Sequence, residues 1–188
     1  MGPRDGLVRF GYLSGTLTDR GDLAVTSRAL AAGLEKFSHA RLVLPRAGVN
    51  LDEFPELQAH SGQIEWREAV GRDETPLEYA RLDINLAPLE LGNPFCEAKS
   101  ELKFLEAALV SVPSVASRTQ SYCGAIRHGE TGFLASDYQQ WCTVLQGLLE
   151  RIELRKCIGV RAHQEVLGPY GPQQRRSLLA ELIGRLLD

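Results

Sequence analysis

The chain has 188 residues, of which 44% are hydrophobic and 24% charged, and a net charge of −3. That length allows one ordinary domain with an extension and a substantial core, and the acidic balance argues against a basic face for nucleic acid. No run approaches the ~20 apolar residues of a membrane span, and the opening MGPRDGLVRF lacks the apolar core of a signal peptide. The expected location is the cytoplasm, with peripheral association at the inner face of a membrane also compatible.

In chain order, residues 8–13 (VRFGYL) read as a strand ending in a Ser14-Gly15-Thr16 turn. Residues 22–37 place Leu23, Leu30 and Leu34 at helical spacing, with Asp22 as N-cap. Residues 41–44 form a short strand cut off by Pro45, and residues 63–66 a weaker one. A short helix over 76–80 has Pro76 in its first turn, where a missing N–H costs nothing, and Asp73-Glu74 at its start. Residues 84–87 form a strand ended by Pro88. A helix over 100–110, a strand over 114–116 and a helical turn over 122–127 follow. The turn GETG leads into Phe133-Leu134, and from Tyr138 the pattern is helical to the end, broken at Gly168-Pro169 and Gly171-Pro172.

Strands alternating with helices predict a Rossmann-like, three-layer α/β/α domain with a mostly parallel sheet. Its expected bounds are 5–168, with a C-terminal helix over 169–188. Cys96, Cys123, Cys142 and Cys157 are widely separated and make no metal-ligand set with His39, His60, His128 or His163. Reduced thiols and no metal site are expected. His128 reads as a turn residue bonded to backbone, the other histidines as surface, Trp66 and Trp141 as packing, and Asp83 as a helix cap or strand-end acceptor.

Open sheets of this kind bind ligands beyond the carboxyl ends of their strands, where strand order reverses. That directs attention to the loops 14–21, 89–99 and 117–124. On a helix starting near Ser100, Lys99, Lys103 and Glu106 share one face, and Leu102, Leu105 and Leu109 form another that is expected to pack on the sheet. Ser100 is the expected N-cap. A capping box would place Glu or Gln at 103, yet the residue is Lys, which the helix dipole disfavours by about 0.3–1 kcal/mol. A bound phosphate would compensate. So would a surface pair of Lys103 with Glu106 or Glu97, and spacing alone favours that plainer alternative.

The segment KSELKFLEAALVSVPSVAS resembles the signature of the C-terminal, donor-binding half of GT-B glycosyltransferases of the retaining group-1/family-4 type. GYLSGTLTDRGDLAVTSRAL is similar to that half's first strand, glycine turn and helix. ARLDINLAPLELGNPFCEAK is similar to its D-I-x-L-x-P-L strand and following loop, and AIRHGETGFLASDYQQW to its I-x-x-G-x-T-G-x-L turn. In order, these pieces cover roughly residues 8–170.

The resemblance implies a nucleoside-diphosphate sugar as substrate, with no cofactor and no divalent metal. Glu106 would accept the ribose hydroxyls, Arg20 would meet the diphosphate, and Gly15 would let backbone amides approach it. Thr16 belongs to the same loop. Lys99, Lys103 and the amides after Ser100 would neutralise charge on the leaving diphosphate. The family carries a second glutamate eight residues before the first, where this chain has Ala98. Glu97, one position off, is the candidate catalytic residue; otherwise backbone around Asn93 and Cys96 holds the sugar. Apart from the resemblance, Thr119, Gln120 and Ser121 sit in a loop at the expected carboxyl edge of the sheet, where they either reach the sugar or phosphate or supply simple turn polarity. Gly124 replaces a commonly acidic residue.

The resemblance covers only one half of a GT-B enzyme, so an N-terminal, acceptor-binding domain of the same polypeptide is an expected partner. The expected function is hexosyl transfer from the nucleotide sugar to a glycan or lipid acceptor. The competing expectation is a non-catalytic, donor-domain-like module serving as a scaffold within a larger protein. A nicotinamide enzyme is disfavoured, because no GxGxxG follows the first strand.

Overall fold

Short apolar runs that are buried on both faces pair most readily as parallel strands under helices. Six strands pair in this way in the computed structural model, which describes residues 5–13 and 20–187; five are largely buried, and an edge strand, over residues 64–67, is half-buried. The strands are β1 Val8–Gly11, β2 Ala40–Pro45, β3 Ile64–Arg67, β4 Ile84–Ala87, β5 Ser114–Ser117 and β6 Phe133–Ala135. They form one sheet in the order β3-β2-β1-β4-β5-β6, parallel throughout. Phe10 lies opposite Leu42 on one side and Ile84 on the other. The chain winds outward from β1 in one direction and from β4 in the other, so their carboxyl ends mark the reversal point.

The helices are α1 Arg20–Ala24, α2 Ser27–Lys36, α3 Pro55–Gln58, α4 Thr75–Ala80, α5 Pro94–Glu97, α6 Leu102–Leu109, α7 Gln120–Ala125, α8 Tyr138–Glu150, α9 Ile152–Leu167 and α10 Pro172–Leu187. One sheet face, with Phe10, Leu42, Leu86 and Val115, is covered by Leu30 and Leu34 of α2 and by Trp141, Leu145 and Leu148 of α8. The other face meets Tyr79 of α4, Phe104, Ala107 and Ala108 of α6, and Ala162 and Val166 of α9. The result is the expected three-layer α/β/α arrangement. Beyond the break at Gly168, the described side chains of α10 are exposed. No described helix is long and apolar enough to cross a membrane.

Four local expectations are corrected. The helix expected over 22–37 is two helices. Thr26 and Ser27 turn their hydroxyls back onto the carbonyls of Leu23 and Ala24, and this local bonding competes with an unbroken helix. Asp22 is accordingly not an N-cap but lies inside α1. The later helix begins at Leu102 rather than Ser100, with Glu101 at the cap and no side-chain capping bond, so exposed Ser100 caps nothing. Finally, Leu102 and Leu109 of α6 are exposed, and Phe104, Ala107 and Ala108 pack inward. Both faces of that helix are apolar, and Phe104, Ala107 and Ala108 form the one that packs inward.

Other expectations hold. Trp141 is buried, the His128 ring accepts from the Leu134 amide, and Asp83 accepts from the Arg9 amide at 2.8 Å beside the strand end. The short helices α3 and α5 were not anticipated, and His163, expected at the surface, is half-buried with Nδ1 3.2 Å from the Ala108 carbonyl.

Candidate functional site

A cleft of about 430 Å³ opens along the carboxyl edge of the sheet. Leu13 beyond β1, Pro45 and Ala47 at the end of β2, and residues 67–70 at and beyond β3 form one side. Thr75, Glu78 and Tyr79 of α4 and Leu102, Lys103 and Glu106 of α6 form the other. Helical spacing puts Lys103 and Glu106 one turn apart on the same face of α6, and the packing of Phe104, Ala107 and Ala108 turns that face to the cleft.

Lys103 is the second residue of α6, so the cation does stand in the first turn, where backbone amides already carry positive partial charge. Its ammonium rests 4.4 Å from the centre of the Tyr12 ring, a contact that offsets part of the unfavourable placement. Glu106 lies near Lys103, Arg72 and the Tyr79 hydroxyl. Burial raises its carboxyl above the ordinary glutamate range, and Tyr79, Lys103 and Arg72 pull it back. Burial and the nearby Glu106 carboxylate in turn keep the Tyr79 hydroxyl protonated well above the usual tyrosine range. The pairing leaves a carboxylate facing the cleft beside a lysine and an arginine, able to accept hydroxyl hydrogen bonds next to a site for anions.

A second group of expected residues lies along the carboxyl edge of β4 and β5. Asn93 caps α5, accepting from the Phe95 amide at 3.0 Å and donating to Glu90 at 2.8 Å. Glu97 accepts from two backbone amides, Gly92 and Gln120, each at 3.3 Å. Buried Thr119 precedes α7 and meets Ser121 at 3.3 Å, and Ser121 donates to the Lys99 carbonyl at 2.8 Å. Lys99 departs from the sequence expectation. Its ammonium is 2.6 Å from the buried Asp22 carboxylate and 5.2 Å from the centre of the Phe95 ring, so its charge is matched within the protein.

Of the expected set, then, Lys103 and Glu106 share the cleft, while Glu97, Asn93, Lys99 and Thr119 form a connected neighbouring cluster. Gly15 and Thr16 lie outside the described residues. Arg20 opens α1, which places its backbone next to that undescribed loop. Among the described residues, no three His, Cys, Asp or Glu side chains converge to hold a metal ion.

Sequence reasoning missed Tyr12, Tyr79, Arg72 and the whole wall formed by 45–47 and 67–70. The carboxyl-edge rule that selected three loops applies equally to the ends of β2 and β3 and would have found that wall. Nothing in the local sequence marks Tyr79, which looks like any buried helical aromatic.

A doubly wound parallel sheet with a cleft along its carboxyl edge has the architecture of one half of a GT-B glycosyltransferase. Two longer proteins superpose on it along nearly the whole chain. Anabaena Alr3699/HepE, solved in complex with UDP and glucose, matches with a TM-score of 0.72 and 15% identity over 96% of this chain and 49% of its own. Sucrose-phosphate synthase from Thermosynechococcus elongatus matches with a TM-score of 0.74 and 14% identity over 98% of this chain and 46% of its own. The chain thus spans about half the length of these two proteins. The C-terminal domain of the group 1 glycosyl transferase LpcC from Francisella tularensis matches over 88% of this chain and 87% of that domain, with a TM-score of 0.66 and 19% identity. A sequence search of curated proteins gives no match. The chain belongs to the group 1 glycosyl transferases, whose family model matches residues 12–151.

Proposed function

We propose that the chain is the donor-binding half of a retaining glycosyltransferase that moves a hexosyl group from a nucleoside-diphosphate sugar to a glycan or lipid acceptor. The observation that carries this reading is the convergence of Glu106 and Lys103 on one cleft at the carboxyl edge of the sheet, beyond β1, β2 and β3. It is supported by family membership and by the UDP-containing complex of the similarly folded HepE. The Glu106 carboxylate holds the ribose hydroxyls. Lys103, in the positive first turn of α6, offsets the charge that develops on the diphosphate as the glycosyl bond breaks. Arg20 and the loop bearing Gly15 and Thr16 complete the phosphate side. Side chains and helix amides supply the positive charge, and no cofactor is invoked. An upstream half of the same polypeptide supplies the acceptor site.

A second reading, a binding module without catalysis, is favoured by one observation. Both carboxylate oxygens of Glu97 are engaged by backbone amides rather than presented to a sugar. Calorimetric titration with UDP, GDP and their glucose conjugates tests the binding claim. Lys103→Ala and Glu106→Ala should each weaken the preferred nucleotide by about tenfold or more, and unchanged affinity in both would refute the site. Tight binding without turnover, in a polypeptide that includes the upstream half, would select the module.

A further inference from the structure

We propose that Asp22 is the positioning residue for the diphosphate side of the cleft, its buried carboxylate clamping the segment around Glu97 onto the helix that carries Arg20. The inference rests on the nucleotide-sugar reading above and adds to it a residue that touches no substrate.

Asp22 lies in α1, two positions after Arg20, and is 2% exposed. One carboxylate oxygen takes the Lys99 ammonium at 2.6 Å; the other takes the thiol of buried Cys96 at 3.4 Å. Burial, with Asp22 adding to it, pushes the Cys96 thiol up, so the sulfur remains a donor. Glu97 stands between these two anchors and turns the other way, onto the amides of Gly92 and Gln120. The carbonyl of Lys99 takes the Ser121 hydroxyl. Residues 96–99 are therefore tied to α1, to the loop before α5 and to the first turn of α7. Asp22 supplies a tie to α1 through both of its carboxylate oxygens.

A buried ion pair adds little net stability over apolar side chains of the same size, so stability alone does not account for a carboxylate at this position. What the pair does supply is a fixed spacing between two elements that flank the proposed phosphate and sugar positions. It also has no net charge. A lone aspartate this near would repel a diphosphate, whereas Asp22 matched by Lys99 orders the segment without that repulsion.

Charge and position predict opposite results. Asp22→Asn removes a negative charge and leaves Lys99 cationic, so a purely electrostatic role would tighten diphosphate binding. A positioning role loosens it. Asp22→Glu keeps the charge and displaces the clamp by one methylene, so a charge role predicts no change and a positioning role a loss. The measurement is the calorimetric affinity ratio of UDP to UMP, and of GDP to GMP, for the full 188-residue chain and both variants. The ratio for the preferred base should fall by about tenfold in each, while the monophosphate affinity stays near the parent value. Should Asp22→Asn fail to fold, Asp22→Glu decides. A ratio that rises, or stays within about twofold of the parent in the folded variants, overturns the role of Asp22 alone. A parent chain that binds neither diphosphate overturns the nucleotide-sugar reading and this inference with it.

Discussion

Replacing Glu106 with glutamine tests the centre of the proposed site, because it changes charge while keeping shape. The carboxylate is half-buried beside Tyr79, Lys103 and Arg72, and burial holds its proton to a higher pH than in an exposed glutamate. Hydrogen bonds to a charged acceptor contribute about 1.5–3 kcal/mol. The side chain is partly solvated and glutamine keeps one acceptor oxygen, so the lower end applies, or about tenfold in Kd. The stability effect has the opposite sign. For an acid with a raised folded value, ionisation costs stability at every pH above the ordinary glutamate range, a cost that fades as pH falls through the folded value. Glutamine removes that cost, so the variant should melt higher than the parent near neutral pH while binding nucleotide more weakly. Titrations repeated at falling pH complete the assay: the parent should lose affinity as Glu106 takes up its proton, and the variant should change far less over the same window. Equal affinities at neutral pH, or a parent profile that stays flat through that window, would refute the assignment.

Two further outcomes concern the scaffold. A Cβ on Gly159 would lie 2.0 Å from the carbonyl oxygen of Ser111, so Gly159→Ala must force α9 away from the end of α6, at a cost of about 3 kcal/mol. The check is a lower urea midpoint, and an unchanged one would contradict the close approach. Arg9, buried in β1, bonds Asp5 at 2.7 Å and Glu65 at 2.9 Å, and the Arg9 bonds hold the Asp5 carboxyl at about 2. A depressed carboxyl contributes stability above the ordinary aspartate range and loses it as pH falls towards its folded value. Arg9→Met should therefore lower the melting temperature at neutral pH and flatten its decline between the ordinary aspartate value and pH 2, as read by thermal melts across that range.

Most strands were legible because they are short apolar runs ended by Pro, Gly or a polar turn, as with Pro45 closing β2 and Pro88 after β4, while the half-buried β3, Ile-Glu-Trp-Arg, gives a weaker signal. The longer helices were legible as well, but not the short α3 and α5, the break between α1 and α2, or the orientation of α6. In α6, leucine spacing at 102, 105 and 109 gave an inward face, whereas the structure turns Phe104, Ala107 and Ala108 inward. Hydrophobic periodicity cannot separate two apolar faces when only distance to the sheet selects the smaller side chains. The lysines show the same limit. Sequence placed Lys99 and Lys103 together at a helix start, but only Lys103 stands in the first turn of α6, while Lys99 lies three residues before that helix begins. Their different surroundings, Asp22 for one and the Tyr12 ring for the other, come from residues 77 and 91 positions away. Partners so far apart leave no trace in local spacing.

The two alanines under α6 carry a further implication. Both are buried in the layer between the helix and the sheet, beside Phe104, and Glu106 precedes Ala107 directly. Whatever sits between that helix and the sheet fixes how far Glu106 reaches. Enlarging either alanine would lift the proposed ribose acceptor outward without altering a single polar group, so the dimensions of the nucleotide seat are set from behind, by the thinness of the layer on which it rests.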